Sequence, residues 1–151
     1  MKRFFALLIC LVLISSIVAT PASAASTMDQ IIISQEINYV TDDCYFIETI
    51  TIPSIQAYGN AKTGTKTAVC VSSGTAIFSI SVTGNFTYDG STASATSASS
   101  TISAHVEGVT LNSQRAYTSG ASACAFGSVS YKGITLQKTV TLTCDKNGNL
   151  S

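Results

Sequence analysis

Residues 76–90 constrain the fold more than any other stretch. Phe78, Ile80, Val82, Phe86 and Tyr88 fall on even positions, while Ser79, Ser81, Thr83, Asn85 and Thr87 fall on odd ones. Side chains of a β-strand point alternately to opposite faces, so this segment has one oily face and one hydroxylated face. A helix would scatter the same residues around its whole circumference. Asp89-Gly90 closes the stretch with a pair that favours a two-residue hairpin turn. The expectation is a long, half-buried strand that reverses at Asp89-Gly90.

The chain ahead of this strand begins with an export signal. Lys2 and Arg3 precede an apolar run from Phe4 to Val18, which Pro21 and the small residues Ala22-Ser23-Ala24 terminate. That layout reads as a secretory signal peptide over 1–24, cleaved after Ala24, and the run is short for a membrane span. Residues 25–151 then match the commonest size of one domain. Lys2 and Arg3 leave with the signal, so eight acidic side chains outnumber the remaining basic ones. No basic footprint for nucleic acid or anionic lipid is left. With the leader removed, no membrane span is expected, and the location is extracellular.

Cys10 leaves with the leader; Cys44, Cys70, Cys124 and Cys144 stay. An even count in a secreted chain suggests two disulfides, worth ~3–4 kcal/mol each on the chain-entropy view. The four are too widely spaced for the close pairs of a thiolate zinc site. Nothing else in the sequence nominates a metal or cofactor.

Residues 25–43 admit two readings. Ile31-Ile32-Ile33 and Ile37-Asn38-Tyr39-Val40 suit short edge strands, and Met28 to Ile32 suits the start of a helix. The β-domain proper is placed at 44–151. Cys44 to Ile52 alternates as a strand that Pro53 stops, although Glu48 falls on the apolar side. An inward Glu suggests a bulge or the sheet rim. Gln56 to Gly64, with Tyr58, reads as a loop, and Thr65 to Ser72 as a strand closed by Ser73-Gly74.

Beyond the central turn, Ser91 to Ser103 is almost entirely Ser, Thr and Ala. A two-residue turn would set Ala93 opposite Phe86 and Ala95 opposite Gly84, which makes a paired strand a better reading than a linker. Its apolar parity changes between Ala95 and Ile102, so a bulge between Ser97 and Thr101 is expected. His105, the single histidine, alternates outward with Ser103 and Glu107. Asn112 to Gly120 reads as a polar loop carrying Arg115 and Tyr117, residue types common in binding hot spots. The chain ends in a hairpin turning at Lys132-Gly133. That register opposes Tyr131 to Ile134, Val129 to Leu136 and Ala125 to Val140, and sends Cys124 and Cys144 to opposite faces. Only Lys138 interrupts the apolar side of the last strand.

Val82 to Gly90 and Lys138 to Cys144 resemble a family of small secreted β-rich proteins of unknown function from Gram-positive, chiefly clostridial, gut bacteria. Ile52-Pro53-Ser54-Ile55, Lys62 to Lys66 and Asn147-Gly148 fit the same pattern, so the resemblance covers roughly residues 50–151. It implies a secreted β-domain and brings no site residues with it. The family often has a cysteine shortly after the central turn, where this chain has Ala95; Cys124 would then be the partner of Cys144. The family's tryptophans are absent as well.

The expected fold is a single antiparallel β-sandwich, immunoglobulin-like or similar. The function that fits is a non-enzymatic binding module for an extracellular protein or glycan, with Tyr58, Arg115 and Tyr117 as candidate contacts. A secreted antagonist of bacteriocin or inhibitor type is the alternative. A hydrolase is the weakest reading, because no Gly-x-Ser-x-Gly elbow accompanies His105 and the carboxylates are dispersed.

Overall fold

The computed structural model describes residues 29–55 and 59–151. The signal peptide and Tyr58 lie outside the described residues. Eight strands follow one another: β1 Gln30–Thr41, β2 Cys44–Pro53, β3 Ala61–Ser72, β4 Thr75–Tyr88, β5 Ala93–Ala104, β6 Thr110–Ser119, β7 Ser122–Tyr131 and β8 Ile134–Thr143. They form a five-stranded sheet β1-β2-β3-β4-β5 and a three-stranded sheet β6-β7-β8, all antiparallel and packed face to face as a β-sandwich. Within each sheet every strand pairs with its sequence neighbours, so the order is sequential and not the interleaved order of an immunoglobulin domain.

The even residues of β4 form the centre of the core. Phe78, Ile80, Val82 and Phe86 are fully buried, and Val129, Val140, Leu142 and Cys144 close on them from the smaller sheet. Phe46 of β2 meets Phe78 edge to face with ring centroids 6.2 Å apart, a favoured aromatic geometry. The sheets interlock where glycines face bulk. At Gly84 a Cβ would lie 2.7 Å from the Ala123 Cβ and 2.6 Å from the Phe86 ring, and at Gly127 it would meet Ile80 and Ile102.

The turns follow from local chemistry. Ser73-Gly74 and Lys132-Gly133 both adopt left-handed backbone angles, the requirement of a two-residue hairpin whose twist matches its strands. Cys144 lies beside Ala121, joined by a 3.0 Å backbone bond, and Cys124 opposes Thr141, as the Lys132-Gly133 register required.

The Asp89-Gly90 reversal differs from expectation. It is a four-residue loop, because the Asp89 carboxylate accepts the N–H groups of Ser91 (2.8 Å) and Thr92 (2.7 Å) and extends the turn. Phe86 consequently opposes Ala95, and Gly84 opposes Ala98. The bulge that restores parity in β5 is at Thr96, whose hydroxyl bonds the Asn85 carbonyl at 3.1 Å, one residue ahead of the expected window. Residues 61–64 belong to β3, and 112–119 belong to β6 and are not loop.

β1 is one continuous strand paired with β2, bulged near Ile33 and Val40. Only β3, β4 and β5 lie squarely beneath the smaller sheet, so β1 overhangs. It leaves Ile31, Ile32, Ile33, Ile37, Tyr39 and Val40 exposed.

Candidate functional site

Two surfaces and one internal cluster concentrate the chemistry of this chain. The cluster resolves both breaks in the apolar pattern. Glu48 is not at a bulge: it opposes Ala68 in unbroken register and points inward at the rim of the sandwich, where β2 emerges from beneath the smaller sheet. There its Oε1 takes a 2.6 Å contact from the Lys138 ammonium of β8, and its Oε2 lies 3.5 Å from Lys66 of β3. Lys138 also sits 4.6 Å above the Phe46 ring. Burial pushes the Glu48 carboxyl up, but the Lys138 hydrogen bond and charge, with Lys66, outweigh it and hold the group below its ordinary range. The two interruptions are partners that clamp one sheet to the other.

The four thiols are free and fall into one pair and two singles. Cys44 and Cys70 occupy diagonal positions on β2 and β3, both facing inward, with their thiols near one another. Burial, then the neighbouring Cys44, pushes the Cys70 thiol up to about 12. Cys124 bonds Thr141 at 3.7 Å on the outer face of the smaller sheet, whereas Cys144 belongs to the core and bonds the Asp145 carbonyl. Opposite faces keep these last two apart, so the Cys124–Cys144 pairing that the family resemblance implied is not formed. Nor does the close pair span the sandwich: it joins neighbouring strands of one sheet.

Arg115 and Tyr117, expected on a loop, stand on β6 instead. They come together on the outer face of the smaller sheet, with the Arg115 guanidinium 5.6 Å from the Tyr117 ring and 5.3 Å from that of Phe126. The two aromatic contacts hold the guanidinium in place on that face.

His105 is exposed, but its Nε2 lies 3.0 Å from the nearly buried Ser79 hydroxyl. A Ser–His contact is the first half of a nucleophilic site. No carboxylate orients the imidazole among the described residues. Ser79 also lies mid-strand between β3 and β5, where backbone N–H groups serve the ladders and do not converge as oxyanion donors. No group of three or more His, Cys, Asp or Glu side chains gathers among the described residues. No helix there is long and apolar enough to cross a membrane.

The first surface is the outer face of the larger sheet, which has two zones. Across β3, β4 and β5 it is a hydroxyl array, with Thr65 bonded to Thr83 (2.8 Å), Thr67 to Ser81 (2.8 Å), and Thr63, Asn85 and Ser97 in one row. On β1 and β2 it becomes aliphatic and aromatic: Ile37 opposes Ile47, and Tyr39 opposes Tyr45 with ring centroids 5.5 Å apart. Tyr39 is 71% exposed. The second surface is a cleft of about 280 Å³ at one end of the sandwich. Cys44, Cys70, Ser72 and Ile77 line it from the larger sheet, and Tyr131, Lys132, Ile134 and Leu136 from the smaller.

The sequence reading missed both surfaces. The alternating parity of Ile37 and Tyr39 with Tyr45 and Ile47 was a usable signal for the first. No local signal marks the cleft, which joins residues far apart in the chain. No family model matches the chain, and no curated protein or solved structure matches it either.

Proposed function

We propose that this chain is a secreted, non-enzymatic binding module that recognises an extracellular protein or glycan through the exposed edge and outer face of β1 and β2. The observation that carries the reading is the overhang of β1, which presents Ile32, Ile37 and Tyr39 to solvent beside a backbone edge with no strand partner among the described residues. Proteins that do not use such an edge blunt it with Lys or Pro. β1 carries neither; its only blunting devices are the bulges near Ile33 and Val40 and the inward-facing Glu36. An apolar patch of this kind marks an interaction surface, and a free edge accepts an added strand. The aromatic pair Tyr39–Tyr45 and the adjoining hydroxyls suit a glycan ring as well as a peptide.

Export supplies the setting. The leader at 1–24 and the resemblance of residues 50–151 to small secreted proteins support it. In an oxidising compartment Cys44 and Cys70 close as a disulfide, two thiols giving up two protons and two electrons to a disulfide oxidant. That bond fixes β2, the strand supporting β1, to β3.

The test is retention of immobilised residues 25–151 against mucin glycans, cell wall and neighbouring bacteria. Wild type should hold a component that the Ile37→Ser/Tyr39→Ser double variant releases. Equal retention by both would move the site elsewhere, and retention of nothing from any source would refute the binding reading.

A further inference from the structure

The two ends of the sandwich are finished differently. At one end the C-terminal tail folds back: Leu150 bridges Cys144 and packs over Gly64, and Thr143 and Ser151 exchange backbone bonds of 2.9 and 3.0 Å. At the other end no described residue fills the space between the sheets. The bulge in β4 opposite Cys70/Val71 turns Ile77 inward beside Phe78, and Ile77 forms one wall of the cleft. Tyr131, Ile134 and Leu136 form the other, and Ile134 is left 63% exposed.

The lining is largely apolar and carries one formal charge. Lys132, held in a left-handed turn, places its ammonium 5.1 Å above the Tyr131 ring at the mouth and pairs with no carboxylate among the described residues. Asp42 and Asp43, in the nearby β1–β2 turn, are not part of the lining. An apolar cleft of 280 Å³ has room for about nine water-sized atoms at ~30 Å³ each. Water itself gains little there, because it needs several polar partners. A pocket with apolar walls and a single polar anchor is the usual form of a small-molecule site.

We propose that this cleft binds a linear monocarboxylate with a medium-length aliphatic chain. The chain lies between Ile77 and the Cys44–Cys70 pair on one side and Tyr131, Ile134 and Leu136 on the other. The carboxylate meets the Lys132 ammonium. A cation of the same length would be repelled there, and a dianion would find a single donor. This site is separate from the β1 edge and stands or falls independently of it.

The probe is octanoate, titrated below its self-association limit into isotope-labelled residues 25–151 and followed by NMR, with octylamine and 1-octanol as charge controls. Octanoate should shift the signals of Tyr131, Lys132, Ile134 and Leu136 saturably and bind about tenfold more tightly than octanol, with octylamine weakest. Lys132→Asn keeps a residue that tolerates the left-handed turn and should reduce octanoate affinity by about tenfold, the equivalent of ~1.4 kcal/mol. Leu136→Trp should fill the cleft and abolish binding. If that variant does not fold, Ile134→Trp, at an exposed position, serves the same purpose. Three results overturn the proposal: octylamine binding as well as octanoate, no effect of Lys132→Asn, or shifts confined to Ile32, Ile37 and Tyr39. Absence of any saturable shift also overturns it.

Discussion

Replacing Lys138 by Met tests whether the ion cluster between the sheets holds them together. Met keeps the length and apolar stem of Lys and removes the charge. Breaking a fully buried ion pair costs ~3–5 kcal/mol, because the remaining charge is stranded. Two features reduce that figure here. The Lys138 and Glu48 side chains keep 21% and 12% of their exposure, and Lys66 remains 3.5 Å from Glu48. Glu36 stands opposite Glu48 on β1 and works the other way, since facing like charges repel. The expected loss is about 1–2 kcal/mol, a fall in Tm of about 4–8 °C for a domain of this size. Glu48→Gln with Lys138→Met should recover part of it, giving a coupling energy near 1 kcal/mol in a double-mutant cycle. The titration gives a second readout. Glu48 is held below its ordinary range in the folded state, so its contribution is present above that range and is lost as pH falls through the lowered value. With Lys138 gone, burial meets only Lys66, and the Glu48 carboxyl signal should titrate at a higher pH. A Lys138→Met protein within 0.5 kcal/mol of wild type in urea at neutral pH, or a cycle with no coupling, would refute the clamp.

Gly84→Ala should cost ~1–3 kcal/mol by overpacking, because its Cβ would meet the Ala123 Cβ and the Phe86 ring with no room to move. Gly64→Ala should cost less, since it meets the movable tip of Leu150; urea midpoints of the two variants rank them. In the reduced protein the Cys70 thiol, raised to about 12, stabilises the fold fully below the ordinary thiol value of about 8.5. That contribution is lost as pH rises from there towards 12. Thermal melts across this window should fall more steeply for reduced than for oxidised protein, and equal slopes would refute a buried thiol pair. Asp145 is held below its ordinary range by the Asn149 side chain and backbone, so its contribution is present above that range and lost on acidification. Asp145→Ala should remove this acid sensitivity and speed amide exchange at Thr143 and Ser151.

Much of the core could be read from the residues themselves. The alternation in β4 gave the correct buried face, and the Lys132-Gly133 register gave correct pairings, because a buried face leaves only one parity open. Glu48 and Lys138 were visible as two separate anomalies, but their partnership depends on how the sheets stack, which no local pattern encodes. β6 was misread as a loop because it is an edge strand with little burial on either face, so its sequence carries no apolar period. β1 was ambiguous for the same reason. The turn at Asp89 followed a side-chain bond that outweighed the two-residue preference of Asp-Gly.

The strictly sequential order of the strands governs when the interior can be sealed. Residues 30–104 can zip up hairpin by hairpin, each pairing needing only its immediate predecessor. Yet the oily row of β4 has no cover until β7 and β8 have been made, and Leu150, the last apolar side chain, closes the far end. The larger sheet can therefore be fully paired while its inner face still lies open, and the core closes only when the β7–β8 hairpin docks on it.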